Sequence, residues 1–245
     1  QCEGRDLAAG GLRHEGEVSR QLGVPGIPAA AEDCGTAREI AAAASLGAPI
    51  HICHVSTKGS VELIRDAKAR GVRVTAETCP HYLLLTDQAL ESQDADYRMN
   101  PPLRTEEDRL ALIEGLLDGT LDAIATDHAP HSPEEKADFF KAPNGSIGME
   151  TSLAATLTAL QGKLSLSEIL EKMSVNPARI LGIPGGTLRE GANADVVLFD
   201  PEKEWVVDPE KLHGKSKNTP FKGRKLKGKV VLTIFRGRVV YDARC

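Results

Sequence analysis

Leu121-Asp122-Ala123-Ile124-Ala125-Thr126-Asp127-His128-Ala129-Pro130-His131 reads as a short apolar strand that stops on a carboxylate and two imidazoles. Strand alternation puts Leu121, Ala123, Ala125 and Asp127 on one face, and Asp122, Ile124, Thr126 and His128 on the other. Asp127 therefore closes a face of small apolar residues. In a parallel α/β barrel, the inward residue at a strand's C-terminal end is where catalytic groups sit. A lone aspartate there usually caps the next turn. The neighbouring histidines favour chemistry instead.

Working outward, strand and helix signals alternate from the start to about residue 185, the pattern of βα units around a parallel sheet. An Ala-rich helix is expected over 36–46, closed by Gly47. A strand over 49–55 precedes a helix over 57–70 whose Val61, Leu63, Ile64 and Ala67 form an apolar stripe. A second strand over 72–77 leads to Cys79-Pro80-His81, and Thr105-Glu106-Glu107-Asp108 opens a helix running to Leu117 with an acidic first turn. Helices over 149–160 and 167–173 follow, and Asn176-Pro177 starts another. After Gly185-Gly186 the runs 194–199, 204–207, 229–235 and 238–241 are β-branched and aromatic, with Arg236-Gly237 a tight hairpin signal. Residues 1–185 thus read as an α/β domain and 186–245 as a small all-β appendage.

The 245 residues can bury a sizeable core. A net charge of -5 and a pI near 5.8 argue against a general nucleic-acid or anionic-membrane surface. No apolar run approaches the roughly 18 residues of a membrane span, and Gln1-Cys2-Glu3-Gly4-Arg5-Asp6 is not a signal peptide. Five cysteines without C-x-x-C spacing fit a reducing compartment, and a cytoplasmic location is expected. The start without methionine suggests a chain beginning inside something larger. The lysines between Lys211 and Lys229 are expected to form a solvated loop.

Four strand ends present His54, His81, the Arg98-Met99-Asn100 segment and Asp127. In successive barrel strands these ends ring one mouth. Singly, each histidine reads as structural; together with Asp127, two neutral imidazoles and a carboxylate suit Zn²⁺ with an open position, which is a hydrolase site. His51 and Cys53 have the opposite parity to His54 and read as packing residues. Cys79 shares parity with His81 but lies two residues deeper. His14 and His213 read as solvated surface, His128 as a hydrogen-bonding group behind Asp127, and His131 as a substrate contact in the loop over the mouth.

The stretches His54-Val55-Ser56-Thr57, Glu77-Thr78-Cys79-Pro80-His81, Met99-Asn100-Pro101-Pro102-Leu103-Arg104 and 125–131 with Glu135-Lys136 resemble successive signatures of bacterial-type dihydroorotase. The segments 142–151 and Ser216-Lys217-Asn218-Thr219-Pro220-Phe221 resemble it too, so the likeness runs from Cys2-Glu3 to Tyr241. The resemblance implies a cyclic amidohydrolase of pyrimidine biosynthesis, interconverting N-carbamoyl-L-aspartate and L-dihydroorotate. It implies a partial TIM (β/α)₈ metal-dependent hydrolase barrel, made of the later strands, with a small C-terminal β-sandwich appendage.

By the same likeness, His54, His81 and Asp127 are zinc ligands in a site of one or two Zn²⁺. Asn100, His131, Asn144 and Gly145 are substrate contacts. A metal-bound hydroxide would attack the ring amide carbonyl while Asp127 shuttles the proton. The partners implied are the small-molecule substrate, a second copy of the chain or aspartate transcarbamoylase, with neither nucleic acid nor membrane. Two departures stand out. The family's H-x-H pair, its following arginine and its bridging acid have no counterpart here, and Gln1-Cys2-Glu3 stands where the family usually reads His-Cys-Glu. Asn144 stands where an aromatic residue is expected. The missing early strands lead to the expectation that an N-terminal piece completes the barrel. Alternative readings are hydantoinase or allantoinase, and a catalytically silent homologue acting as a scaffold for aspartate transcarbamoylase.

Overall fold

Short parallel strands, each leading into a helix, organise the first two thirds of the chain in the computed structural model. It describes residues 2–8 and 10–244, so Gln1 lies outside the described residues. Strand β1 (Arg13–His14) pairs in parallel with β2 (Gly26–Ile27). Helix α1 (Ala30–Leu46) then ends at Gly47, whose φ of 58° is the left-handed C-cap conformation that glycine adopts freely. It starts six residues earlier than expected, because Ala31, Glu32 and Gly35 are buried and tertiary packing extends the helix.

The central sheet runs β3 (Ile50–Ile52), β4 (Val74–Thr78) and β5 (Ala123–Ile124), in that order and all parallel. Between them lie α2 (Lys58–Ala69), α3 (Pro80–Leu84) and α4 (Glu106–Leu117). The Thr57 side chain caps α2 by accepting from Ser60 N, and Thr105 with Asp108 forms a capping box on α4. Val61 and Ile64 of α2 meet Leu83, Leu103, Leu112, Leu116 and Leu121 in the core, each large side chain contributing about 1.5–3 kcal/mol by burial.

Helix α5 (Ser152–Leu160) joins this core to an antiparallel sheet of β6 (Val196–Val206), β7 (Lys225–Phe235) and β8 (Arg238–Asp242). The runs expected at 194–199 and 204–207 are one strand, irregular between Asp200 and Glu204. At Gly228 of β7, a Cβ would lie 2.5 Å from Leu157 Cδ1, so glycine permits the close approach to α5. Val207, Phe221 and Leu226 belong to the same hydrophobic cluster as the parallel-sheet core. Arg236 and Gly237, with φ of 49° and 78°, make the expected hairpin turn between β7 and β8.

Two surface expectations are corrected. His14 is only 7% exposed, with Arg104 Nη1 3.2 Å from its Nδ1. Burial, and after it the Arg104 charge, lowers its pKa to about 4. The basic run is not simply a solvated loop. Lys222 pairs with Asp94 at 2.6 Å and Asp96 at 2.9 Å, and Lys227 with Glu202 at 2.6 Å. His213 is exposed as expected, and pairs with Glu150 at 2.9 Å. No helix among the described residues is long and apolar enough to cross a membrane.

Candidate functional site

The C-terminal ends of β3, β4 and β5 carry the site. His54 follows β3 with φ 41°, and Asp127 follows β5 with φ 46°. Left-handed backbone at a residue with a side chain costs on the order of 1–3 kcal/mol, and such residues cluster at functional sites. The expected strand is shorter than 121–126: β5 ends at Ile124, and Asp127 lies three residues beyond it on left-handed backbone, so strand alternation does not reach it. At His54 the strand has ended, and its positive φ breaks the alternation that set it apart from His51 and Cys53.

His81 sits in the first turn of α3, behind Cys79 at the N-cap and Pro80 at the first helical position. Cys79, His81 and Asp127 each offer a ligand atom, and the three atoms lie within 4.8 Å of one another. His54 stands outside this group but close enough for its charge to act on both His81 and Asp127. Cys79 therefore belongs to the cluster more closely than its depth in the sequence suggested.

Burial sets the electrostatics of both groups, holding the imidazole neutral and raising the pKa of the carboxyl. Burial, and after it His54, lowers the His81 pKa to about 3. Burial raises the Asp127 pKa, His54 pulls it back, and Glu77 raises it further. The Cys79 thiol is pushed well up by burial, then by Asp127 and Glu77, and stays protonated. His54 Nδ1 and His81 Nε2 are buried nitrogens without a hydrogen-bond partner among the described residues. Buried polar atoms are almost always satisfied, so two unpaired imidazole nitrogens beside a carboxylate fit a divalent cation.

A buried polar network grips the loop that carries His54. Glu32 accepts from Ser56 N at 2.8 Å and Thr57 N at 3.2 Å, and from the Ser56 hydroxyl. Arg104 Nη2 lies 3.7 Å from the Glu32 carboxylate, and Arg104 Nε donates to Ser56 Oγ at 3.2 Å. Thr78 Oγ1 donates to Val55 O at 2.8 Å, tying β4 to the residue after His54. Sequence reading assigned no role to Glu32, which α1 supplies from over twenty residues away.

The loop residues also gather. His131 Nε2 donates to Asn144 O at 3.1 Å, and Gly145 N donates to Arg98 O at 2.8 Å, bringing the Asn100 segment alongside. Gly145 has φ 130°, and a Cβ there would lie 2.5 Å from Ala129 Cβ. Asn218 clasps the loops: its Nδ2 donates to Ala129 O and Gly145 O, both at 3.1 Å, and its Oδ1 accepts from His131 N at 3.2 Å. The resemblance of the 216–221 stretch gives Asn218 no role; its three bonds to the loops are visible only in the fold. His128 Nδ1 accepts from Gly148 N at 3.1 Å, the hydrogen-bonding role expected of it.

His51 and Cys53 are not packing residues. They share the sheet face of Thr75 and Glu77, with His51 Nδ1 2.9 Å from Thr75 Oγ1 and His51 Nε2 3.2 Å from Glu77. Both are incompletely buried, Cys53 being exposed, and His51, Cys53 and Glu77 offer a second group of ligand atoms within 4.8 Å of one another.

Parallel strands whose ends gather imidazoles and an aspartate are the arrangement of metal-dependent hydrolases. The chain belongs to the amidohydrolase family, whose model matches residues 7–240. It is 55% identical to a dihydroorotase from Syntrophus aciditrophicus (strain SB) over 243 residues, 98% of this chain and 57% of that protein. It is 53% identical to a dihydroorotase from Geobacter sp. (strain M21), over 97% of this chain and 56% of the relative. The chain thus spans a little over half the length of these relatives. Among solved structures, L-hydantoinase (dihydropyrimidinase) from Arthrobacter aurescens superposes with a TM-score of 0.83 at 34% identity, covering 89% of this chain and 50% of that one. Dihydropyrimidinase from Brevibacillus agri NCHU1002 gives 0.85 at 31% identity, covering 98% and 54%.

Proposed function

We propose that this chain carries the later part of a dihydroorotase-type cyclic amidohydrolase, interconverting N-carbamoyl-L-aspartate and L-dihydroorotate. The observation that carries the reading is the pair of buried, unpartnered imidazole nitrogens of His54 and His81 beside Asp127. A divalent metal, with Zn²⁺ favoured, would be held by His54, His81 and Asp127, and when bound supplies a Lewis acid that lowers the pKa of water toward about 7.

The chain's own residues do the rest. The raised pKa of Asp127 suits a group that takes a proton from the attacking water and returns it to the ring nitrogen as the C–N bond breaks. In the synthetic direction the same carboxyl would take the proton of the attacking ureido nitrogen as the C–N bond forms, and pass it to the hydroxyl that leaves as water. Asn100, His131, Asn144 and Gly145 hold the substrate. Asn218 keeps the last three of these in register through the hydrogen bonds described above.

Residues 1–185 are the later units of a partial TIM barrel and 186–245 part of a β-sandwich, acting in the cytoplasm. A second copy of the chain or aspartate transcarbamoylase would be its macromolecular partner. Hydantoinase or dihydropyrimidinase activity is the second reading, favoured by the TM-scores of 0.83 and 0.85. Elemental analysis paired with dihydroorotate hydrolysis, with and without added Zn²⁺, tests the first reading. About one zinc per chain with turnover is expected; hydrolysis of a hydantoin but not dihydroorotate selects the second.

A further inference from the structure

Arg13 of β1 has no exposed surface, and its Nε, Nη1 and Nη2 atoms make no hydrogen bond among the described residues. Its guanidinium lies 5.0 Å from the centre of the Phe139 ring. Arg98 is 6% exposed, donates from Nη1 to Phe139 O at 2.7 Å, and leaves Nε without a partner. Two buried guanidinium groups therefore bracket one phenylalanine, the first at its ring and the second at its carbonyl.

This arrangement is electrostatically incomplete. A guanidinium does not lose its proton in proteins, so Arg13 cannot escape its burial by becoming neutral. Burial and the like charge of Arg98 both oppose it; Asp87 attracts it without making a hydrogen bond to it. The cation–π contact offsets only part of the cost of an uncompensated buried charge.

We propose that Arg13 and Arg98 form the cationic half of a buried oxyanion site beneath Phe139, taking a small phosphate or carboxylate on the planar donor fork of arginine. Phe139, together with Lys136, whose Nζ donates to Ala95 O at 3.1 Å and Pro143 O at 2.8 Å, anchors the otherwise exposed stretch 133–141, so lifting this one segment admits the anion. The segment leads directly to Asn144 and Gly145, and Gly145 N bonds to Arg98 O at 2.8 Å. An anion held there closes the loop by neutralising the two cations under it. The site rests on Arg13, Arg98 and Phe139, and stands whether or not the proposed reaction is correct.

The test is thermal unfolding of the purified chain at constant ionic strength, with chloride exchanged for inorganic phosphate in one series and for acetate in another. A saturable rise in Tm is expected, about 3–6 °C at tenfold the half-saturating concentration. Tryptic cleavage after Lys136 and Lys141 should slow several-fold over the same range. A response to phosphate alone assigns a tetrahedral anion; a response to both admits carboxylates. Arg13→Met should abolish both effects while melting no lower than the parent in chloride, because an apolar side chain replaces an unpaired charge. No saturable rise with either anion in the parent chain, or a rise undiminished in R13M, overturns the proposal.

Discussion

The parallel and antiparallel sheets are both built from β-branched runs, yet they do opposite things with their ends. Strands β3, β4 and β5 are 3, 5 and 2 residues long, and they end among left-handed residues and buried imidazoles. Strands β6 and β7 are 11 residues each, mostly exposed or half-buried, and with β8 form an antiparallel ladder interrupted by register shifts. A long ladder satisfies its own backbone and leaves its side chains to solvent. A short strand delivers the chain early to a loop, where side-chain networks must hold it. At the ends of β3 and β4 such a network grips the backbone beside the unsatisfied imidazole nitrogens of His54 and His81.

The comparison can be broken most sharply at Asp127. On the proposed reaction, Asp127→Asn should lower dihydroorotate turnover in the presence of Zn²⁺ by about 10³-fold, while Val197→Thr on exposed β6 leaves it unchanged; steady-state kinetics on both variants decides. A D127N rate within tenfold of the parent would remove Asp127 from the proton path. The next largest effect concerns the grip on the His54 loop. Glu32→Gln strands Arg104 in the interior and should cost about 3 kcal/mol, read as a Tm lowered by about 6–12 °C. Glu204→Gln, which breaks the exposed pair with Lys225, should cost under about 1 kcal/mol. Equal losses at the two sites would erase the distinction between the regions.

A smaller effect is expected from pH. The folded-state pKa of His14, about 4, lies below its ordinary value of 6.5, so the unfolded chain binds the additional proton. The stability this contributes is complete above pH 6.5 and is lost as the pH falls toward 4. His14→Gln should therefore flatten the Tm profile in that window; an unchanged slope would mean His14 is not held neutral. The smallest effect belongs to the hairpin. Arg236 adopts φ 49° before Gly237, a position that asparagine tolerates better, and Arg236→Asn should stabilise by about 0.5 kcal/mol. A melting curve that moves the other way would assign Arg236 a role through its 5.2 Å contact with Phe235.

Local signals in the sequence were enough for the helix starts at Thr57 and Thr105, the stop at Gly47 and the hairpin at Arg236-Gly237. Each depends on a few consecutive residues, within the reach of propensity and alternation. Only the tertiary structure buried His14 against Arg104, ninety positions away, and set Glu32 under the His54 loop. It also brought Cys79 to Asp127 and closed Asn218 over His131 and Gly145. Polar residues look alike in sequence whether they face water or a distant partner. Their burial and pairing are decided by which helices pack together, and that depends on the whole core at once.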